Sequence, residues 1–593
     1  MPVWPDEGPR TWAPRPTVTD ITANDLRTRL YQFADDSMRG RRSGEIGNYK
    51  GTDYVAREFK RLGLKPFGDH GTYFQNLEFG PVGFDSASAR LTAGGGALKS
   101  RSEWIPLAPT STNGFADKAN LTGTATVFAG RWGDTSVVLD PAVFRGRVAV
   151  FAGPPPAALF GRGTGGGPST PLPRCDSVPD KFGAAAAAAV EAKQRADAAA
   201  GRAPAGGVRA GPAFVRDTRA LRAGAVAIVF AGLDSVPTAT VNGTFASRMG
   251  MQPESPSASA VPAAAITQSA AAQIFGVPIE QLTVGSAGQP VSASWSYAYR
   301  LSATPARNVI AVLPGSDPAR ADEFVLVGAH NDHMGTNPTA VDHESLRAVN
   351  TVTRRQGAND PSCRPTGSQQ HRIDSLIARA HRIRPARRDS IMNGADDDGS
   401  GTVVMLEIAE KFAREKPARS IIFISHQGEE LGLLGSKWFV DHPTIPLSSI
   451  VAAHNMDMVG KGRVEQVKFG GPSSIQMLGA RRLSREFGDI IDSVNATRAE
   501  VMAIDKSWEV SANPLNRFCR SDQVNYVHHD IPVTYFSLGY AQDYHQVTDE
   551  PQYIDYDHAA RVGRFIHDVM MAVANRTDKP AIAGPDPTFP MCR

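Results

Sequence analysis

No stretch of this 593-residue chain is long and apolar enough to cross a bilayer as a helix, which takes about 20 residues. Cysteine is scarce. Cys175, Cys363, Cys519 and Cys592 form no CxxC pair, which argues against a thiolate zinc site and leaves disulfides and buried thiols both open. Charge of either sign is not in excess. With 63 basic and 60 acidic residues the formal charge is +3, too small to point to nucleic acid or an anionic membrane surface as partner. The opening MPVWPDEGPRTW lacks a charged region followed by an apolar one, so it does not read as a secretion leader. Either a leader was removed or the protein is cytosolic.

What is present is an ordinary globular composition, 41% hydrophobic and 21% charged, at a length that exceeds a single core. Residues 24–64 read as two helices, one with Leu26, Leu30 and Phe33 on a stripe, the other starting near Thr52 or Asp53 with Val55 and Phe59 on one face. From 110 to 295 the texture shifts to Ala, Gly and Pro with short apolar runs, among them GRVAVFAG (146–153) and AVAIVFAG (225–232). An alanine run at 184–189 suits a helix, and the glycines at 165–167 suit a loop. This segment is expected to be a separate β-rich insertion, between an N-terminal part (1–109) and a larger domain (296–575). A Pro-rich tail (576–593) follows.

The larger domain alternates strand and helix. NVIAVLP (308–314), EFVLVGAH (323–330), SIIFISH (420–426), IVAAHNMDM (450–458) and IPVTYFSLG (531–539) are near-continuous apolar runs, as in strands buried on both faces. Helices are expected at 399–414, roughly 475–487 and 556–574. The pattern predicts an α/β fold, a mixed and mostly parallel sheet flanked by helices. Residues 336–392 show no strong apolar period and carry dense arginine, so they read as a long basic insertion.

Chemistry-bearing residues fall where these strands end: His330 and Asp332, Asp397 in GADDDGSG, Glu429 and Glu430, Asp457, and His545. Open α/β sheets bind ligands beyond the carboxyl ends of their strands, so these groups are placed to converge. Two imidazoles and three carboxylates without sulfur suit Zn²⁺ or a similar divalent ion. Three carboxylates on one ion would be heavy in charge, whereas two ions sharing Asp397 balance it. Asp332, two residues from His330 on a strand end, is expected to orient that imidazole. Of the adjacent Glu429 and Glu430, one is expected on metal and the other as a general base. Aspartates in the 396–398 run also suit helix capping, and only Asp397 is assigned to metal.

GAHNDH, GADDDGSG, GEELGLLGS, NMDM and DYHQVTDEP together resemble the signature blocks of the M28 family of zinc peptidases, over roughly 24–95 and 300–575. The inserted segment is similar to a protease-associated domain. The resemblance implies a zinc exopeptidase fold and two Zn²⁺ ions. It makes His330 and Asp457 ligands of one ion, Glu430 and His545 ligands of the other, Asp397 the bridge and Glu429 the general base. It further implies that Tyr544 binds the oxyanion and that Asp332 backs His330. It makes peptides the substrates, aminopeptidase action the expected activity, and export to the periplasm or beyond the cell the expected location. A carboxypeptidase or dipeptidase of the same fold and a non-catalytic scaffold are the alternatives. RSDQVNY (520–526) departs from the family's RSDH, with Gln523 in place of histidine.

Overall fold

The computed structural model describes residues 2–109, 115–134, 136–156, 159, 172–177, 217–252, 260–354, 357–359, 362–463, 466, 470–506 and 517–583. The alanine run at 184–189 and the glycines at 165–167 lie outside them. The chain divides into two compact units, one of Met1–Leu77, Pro171–Val208 and Ala303–Arg593, the other of Glu78–Thr170 and Arg209–Ser302.

The first unit is built on a mixed sheet. Its strands run in the order Lys65–Pro66, Arg307–Leu313, Ser420–His426, Phe324–His330, Ile450–Met456, Val533–Ser537, Ser474–Gly479 and Ala503–Asp505. The four in the middle, from Ser420–His426 to Val533–Ser537, are mutually parallel, and antiparallel strands flank them on both sides. Their runs of Val, Ile, Phe and Ala are buried along their whole length, as expected for strands covered on both faces. One face carries the helices Ala23–Phe33, Gly401–Phe412 and Tyr556–Asn575, which bury Leu30, Phe33, Val404, Ile408, Phe565 and Val569 against Val325, Val327 and Phe423. The other face packs Phe439, Val524, Tyr526 and Val527 on Ile310, Leu326 and Ile424.

Three elements differ from the sequence reading. The second helix starts at Ile46, before the expected Thr52. Gly47 lies inside it because a Cβ there would come within 1.9 Å of the Met38 carbonyl oxygen, so the glycine marks close approach, not a break. Residues 474–479, expected as the start of a helix, form a strand between Val533–Ser537 and Ala503–Asp505, and the helix follows at Arg485–Thr497. A short stretch such as IQML, apolar at three of its four positions, fits either state, and sheet pairing decides it. Most of segment 336–392 is regular. The strands Gly335–Asp342 and Arg388–Met392 pair with each other, and the helices His343–Thr353 and Gly367–Ile383 lie between them. Ala348, Val352, Ile373 and Ala380 form a small core with Val3, Trp4 and Tyr553. Two of its arginines pair with buried glutamates: Arg384 donates to Glu344 and Arg387 to Glu550, each at 2.7 Å. Cys175 and Cys363 form a disulfide, and no free cysteine occurs among the described residues.

The second unit holds a ten-stranded sheet, in which Lys118–Arg131, Val148–Ala152, Ala227–Ala231 and Ala263–Ile266 run parallel. Phe79–Phe84 and Arg90–Ala93 pair with Ala287–Tyr299, which draws the start of this unit ahead of the composition shift at 110. No helix among the described residues is long and apolar enough to cross a membrane.

Candidate metal centre

The parallel strands end level with one another. His330 is in register with His426, and Gly328 with Asn455, so the turns after 330, 426 and 456 open on the same edge. His330 closes its strand. Glu429 and Glu430 follow the turn after His426, and Asp457 follows Met456. Asp397 precedes the helix Gly401–Phe412, in a run where the Asp397–Asp398 peptide is cis. His545 arrives on the loop after Val533–Ser537, with φ at +58°, a left-handed conformation that few non-glycine residues adopt.

These side chains gather into two adjoining groups: His330, Asp397 and Asp457, and His333, Asp397, Glu430 and His545. Asp397 belongs to both. Its Oδ1 lies 3.2 Å from His330 Nε2, and its Oδ2 lies 3.0 Å from His545 Nε2. His330 Nε2 is 3.7 Å from Asp457 Oδ1, and His545 Nε2 is 3.0 Å from Glu430 Oε2. All five residues expected as ligands are therefore brought together. His330 Nε2, Asp397 Oδ2, Glu430 Oε1, Asp457 Oδ1 and His545 Nε2 are buried atoms without a hydrogen-bond partner. Buried polar atoms are almost always paired, so convergent orphans of this composition fit a divalent cation in each group.

His333 joins the second group and was not singled out in the sequence. It lies three residues past His330, beyond the strand end, where the two-residue alternation no longer says which way a side chain points. The second histidine of GAHNDH was the available signal.

The surroundings hold the ligands from behind. His330 Nδ1 is 3.2 Å from the Asp332 carbonyl oxygen and 3.6 Å from its carboxylate. That carboxylate accepts hydrogen bonds from Ser43 Oγ and from the Glu429 backbone N–H, at 3.0 and 3.1 Å. Asp332 thus ties the His330 loop to the Glu429 turn. Asp398 accepts from the backbone N–H groups of His330, Gly401 and Met458, so it ties the start of the helix to two ligand turns. Asp549 accepts from the N–H groups of Asp396 and Asp397, and Lys461 donates to Asp549. Arg41 is fully buried and donates to the carbonyls of Asn331, Phe33, Asn393 and Gly394. Gln523 donates to the Phe518 carbonyl and accepts from Asn455, beneath the sheet edge.

Electrostatics follow from burial. Desolvation acts to raise Asp397, but the nearby imidazoles of His330 and His545 outweigh it and hold the carboxyl well below the usual range. His545 answers in kind. Burial lowers it, yet Asp397 and Glu430 bring it up to about 10. Glu429 moves the other way. Burial raises it well above an ordinary glutamate; His330 opposes the rise, while Asp457, Glu430 and Asp522 add to it. Tyr544 stacks on His545 with ring centroids 3.8 Å apart, and burial lifts its phenol well above the ordinary value, so it stays a hydrogen-bond donor.

Residues 370–570 match the model of peptidase family M28. A "Probable zinc metalloprotease" of Pyrenophora teres f. teres (strain 0-1) is 27% identical over 211 residues, 33% of this chain and 43% of that protein. "Aminopeptidase YwaD" of Bacillus subtilis (strain 168) is 47% identical over 68 residues, 11% of this chain and 15% of that protein. The chain thus spans less than half the length of these curated relatives. A solved zinc aminopeptidase from Bacillus subtilis is 16% identical, covering 95% of this chain and 99% of its own, with a TM-score of 0.40. The matched segment contains Asp397, Glu429, Glu430, Asp457, Tyr544 and His545, and over it the chain is similar to peptidase family M28.

Proposed function

We propose that this chain is a two-zinc aminopeptidase that removes N-terminal residues from peptides. The observation that carries the reading is Asp397, one carboxylate whose two oxygens face two separate donor groups, 3.2 Å from His330 Nε2 on one side and 3.0 Å from His545 Nε2 on the other. His330, Asp397 and Asp457 would hold one zinc, and Asp397, Glu430 and His545 the other. Bound there, the ions supply Lewis-acid polarisation of the scissile carbonyl and bring the acidity of water toward neutral pH.

The protein's own groups do the rest. Glu429 takes a proton from the attacking water and returns it to the leaving amine, so the peptide C–N bond breaks with no net proton change at the glutamate. Tyr544, kept neutral by burial, donates a hydrogen bond to the oxygen that gains charge as the carbonyl is attacked. The site carboxylates favour a cationic substrate terminus, which suits a free α-amino group over a blocked one. The second unit is read as an inserted protease-associated domain. Export fits the Cys175–Cys363 disulfide, since such bonds persist mainly in oxidising compartments.

The test compares aminoacyl-anilides with an N-blocked dipeptide, using purified protein of measured zinc content, with and without chelator. Anilide hydrolysis that chelation abolishes and zinc restores is expected. Less than one zinc per chain with no hydrolysis would favour the scaffold, and cleavage of the blocked dipeptide alone would favour a carboxypeptidase.

A further inference from the structure

We infer that His333 is a further ligand of the pocket formed by Asp397, Glu430 and His545, so that the two cation pockets are unequal. The inference rests on the two-cation reading above and adds a residue that the M28 resemblance does not assign.

Three observations carry it. First, His333 Nδ1 lies 2.9 Å from Glu430 Oε1 and 3.7 Å from Asp397 Oδ2, the Asp397 oxygen that His545 Nε2 approaches at 3.0 Å. Ligands with bonds of ~2.0 Å at tetrahedral corners lie roughly 3.3 Å apart, and these spacings bracket that value. Second, the approach to Glu430 is close but not directed as a hydrogen bond. His333 Nδ1 and Glu430 Oε1 both lack a hydrogen-bond partner, as do His330 Nε2 and His545 Nε2. His333 therefore carries the same signature as the expected ligands, on a residue only 1% exposed. Third, the ring is seated. The His333 backbone N–H donates to the Arg41 carbonyl at 3.1 Å. The imidazole lies against Gly394, where a Cβ would come within 2.5 Å of the His333 Cγ. It also meets the His545 ring edge-on at 5.5 Å.

The consequence is an asymmetric centre. His333, Asp397, Glu430 and His545 offer donors from four residues, the number that closes a zinc site, whereas His330, Asp397 and Asp457 offer donors from three and leave a position open. The four-residue pocket should bind its cation more tightly, and the three-residue pocket should exchange first.

The experiment uses the full chain, freed of metal and reloaded with zinc. X-ray absorption at the zinc edge counts imidazoles, and competition with a chromophoric chelator gives both affinities. Three imidazoles over two ions are expected, with at least a tenfold gap between the two affinities. In His333→Gln, which removes the imidazole but keeps a polar side chain, the count should fall to two and the gap should close. His333→Asp, which restores a carboxylate ligand, should reopen the gap without restoring the count. Two imidazoles over two ions in the unmodified protein would overturn the inference without recourse to any variant. So would a His333→Gln protein with unchanged count and affinities. Failure to bind zinc at all would instead overturn the two-cation reading, and this assignment with it.

Discussion

Lys461 and Asp549 form a buried ion pair, 2.7 Å apart and each 1% exposed, directly behind the shared carboxylate. The same Asp549 carboxylate accepts the backbone N–H of Asp397 at 3.2 Å, and Lys461 also reaches Asp543 at 2.8 Å. The lysine therefore neutralises the groups that fix the position of the bridge. Burial lowers its pKa, but Asp543, Asp549 and Asp396 more than reverse this, so it stays charged.

Lys461→Met should leave Asp543 and Asp549 buried beside each other with half of their compensation gone. Losing one partner of a buried pair costs about 3–5 kcal/mol, and zinc affinity should fall by about 10–100-fold as the Asp397 backbone loosens. Urea unfolding and zinc competition measure the two effects. Unchanged stability would mean that Lys461 carries little of the load.

Glu429→Gln should retain fold and zinc, because Glu429 contributes a backbone N–H, not its carboxyl, to the Asp332 link. Turnover should drop by about 10²–10⁴-fold, the range for losing a general base. Steady-state rates beside zinc analysis check this, and near-normal turnover would move the base elsewhere.

Zinc uptake should release protons. The folded, metal-free site holds His545 protonated up to about pH 10 through Asp397 and Glu430, so a cation must displace that proton. Apparent zinc affinity should therefore rise as pH rises through the neutral range. Titrating zinc into weakly buffered protein with a pH indicator measures the release, and pH-independent affinity would contradict the arrangement.

His454 predicts acid sensitivity. It is buried in the middle of Ile450–Met456 with Nδ1 2.7 Å from Thr534 Oγ1, and burial lowers its pKa to about 3. Between about pH 6.5 and 3 the unfolded chain binds a proton at this position that the folded chain does not. Stability should fall as pH drops through that window, with a slope of at most ~1.4 kcal/mol per pH unit from this residue. His454→Gln should flatten the urea midpoint against pH by that share. An unchanged slope would assign the acid sensitivity to other groups, such as His426, which burial also lowers to about 3.

Much of the centre was legible because its ligands sit at the ends of uninterrupted apolar runs. SIIFISH, EFVLVGAH and IVAAHNM can hardly be anything but buried strands, and strand ends in a parallel sheet share an edge. Legibility failed where position depends on what a segment meets in space. His333 lies past the strand end, and its direction is set by Gly394 and the Arg41 carbonyl. The helix Gly367–Ile383 hides its stripe, since only Ile373 and Ala380 are fully buried among its many arginines. Gln523 looked like a lost functional residue and instead braces Phe518 and Asn455 from below.

Arg41 spans two ligand turns that lie more than sixty positions apart in sequence, its guanidinium shared among the Asn331, Asn393 and Gly394 carbonyls. These turns are fastened to each other by the protein itself before any ion arrives. The donors around Asp397 thus meet an incoming cation as a finished cradle. Emptying and refilling the centre becomes an exchange at fixed walls, and the stripped protein keeps its shape while it waits.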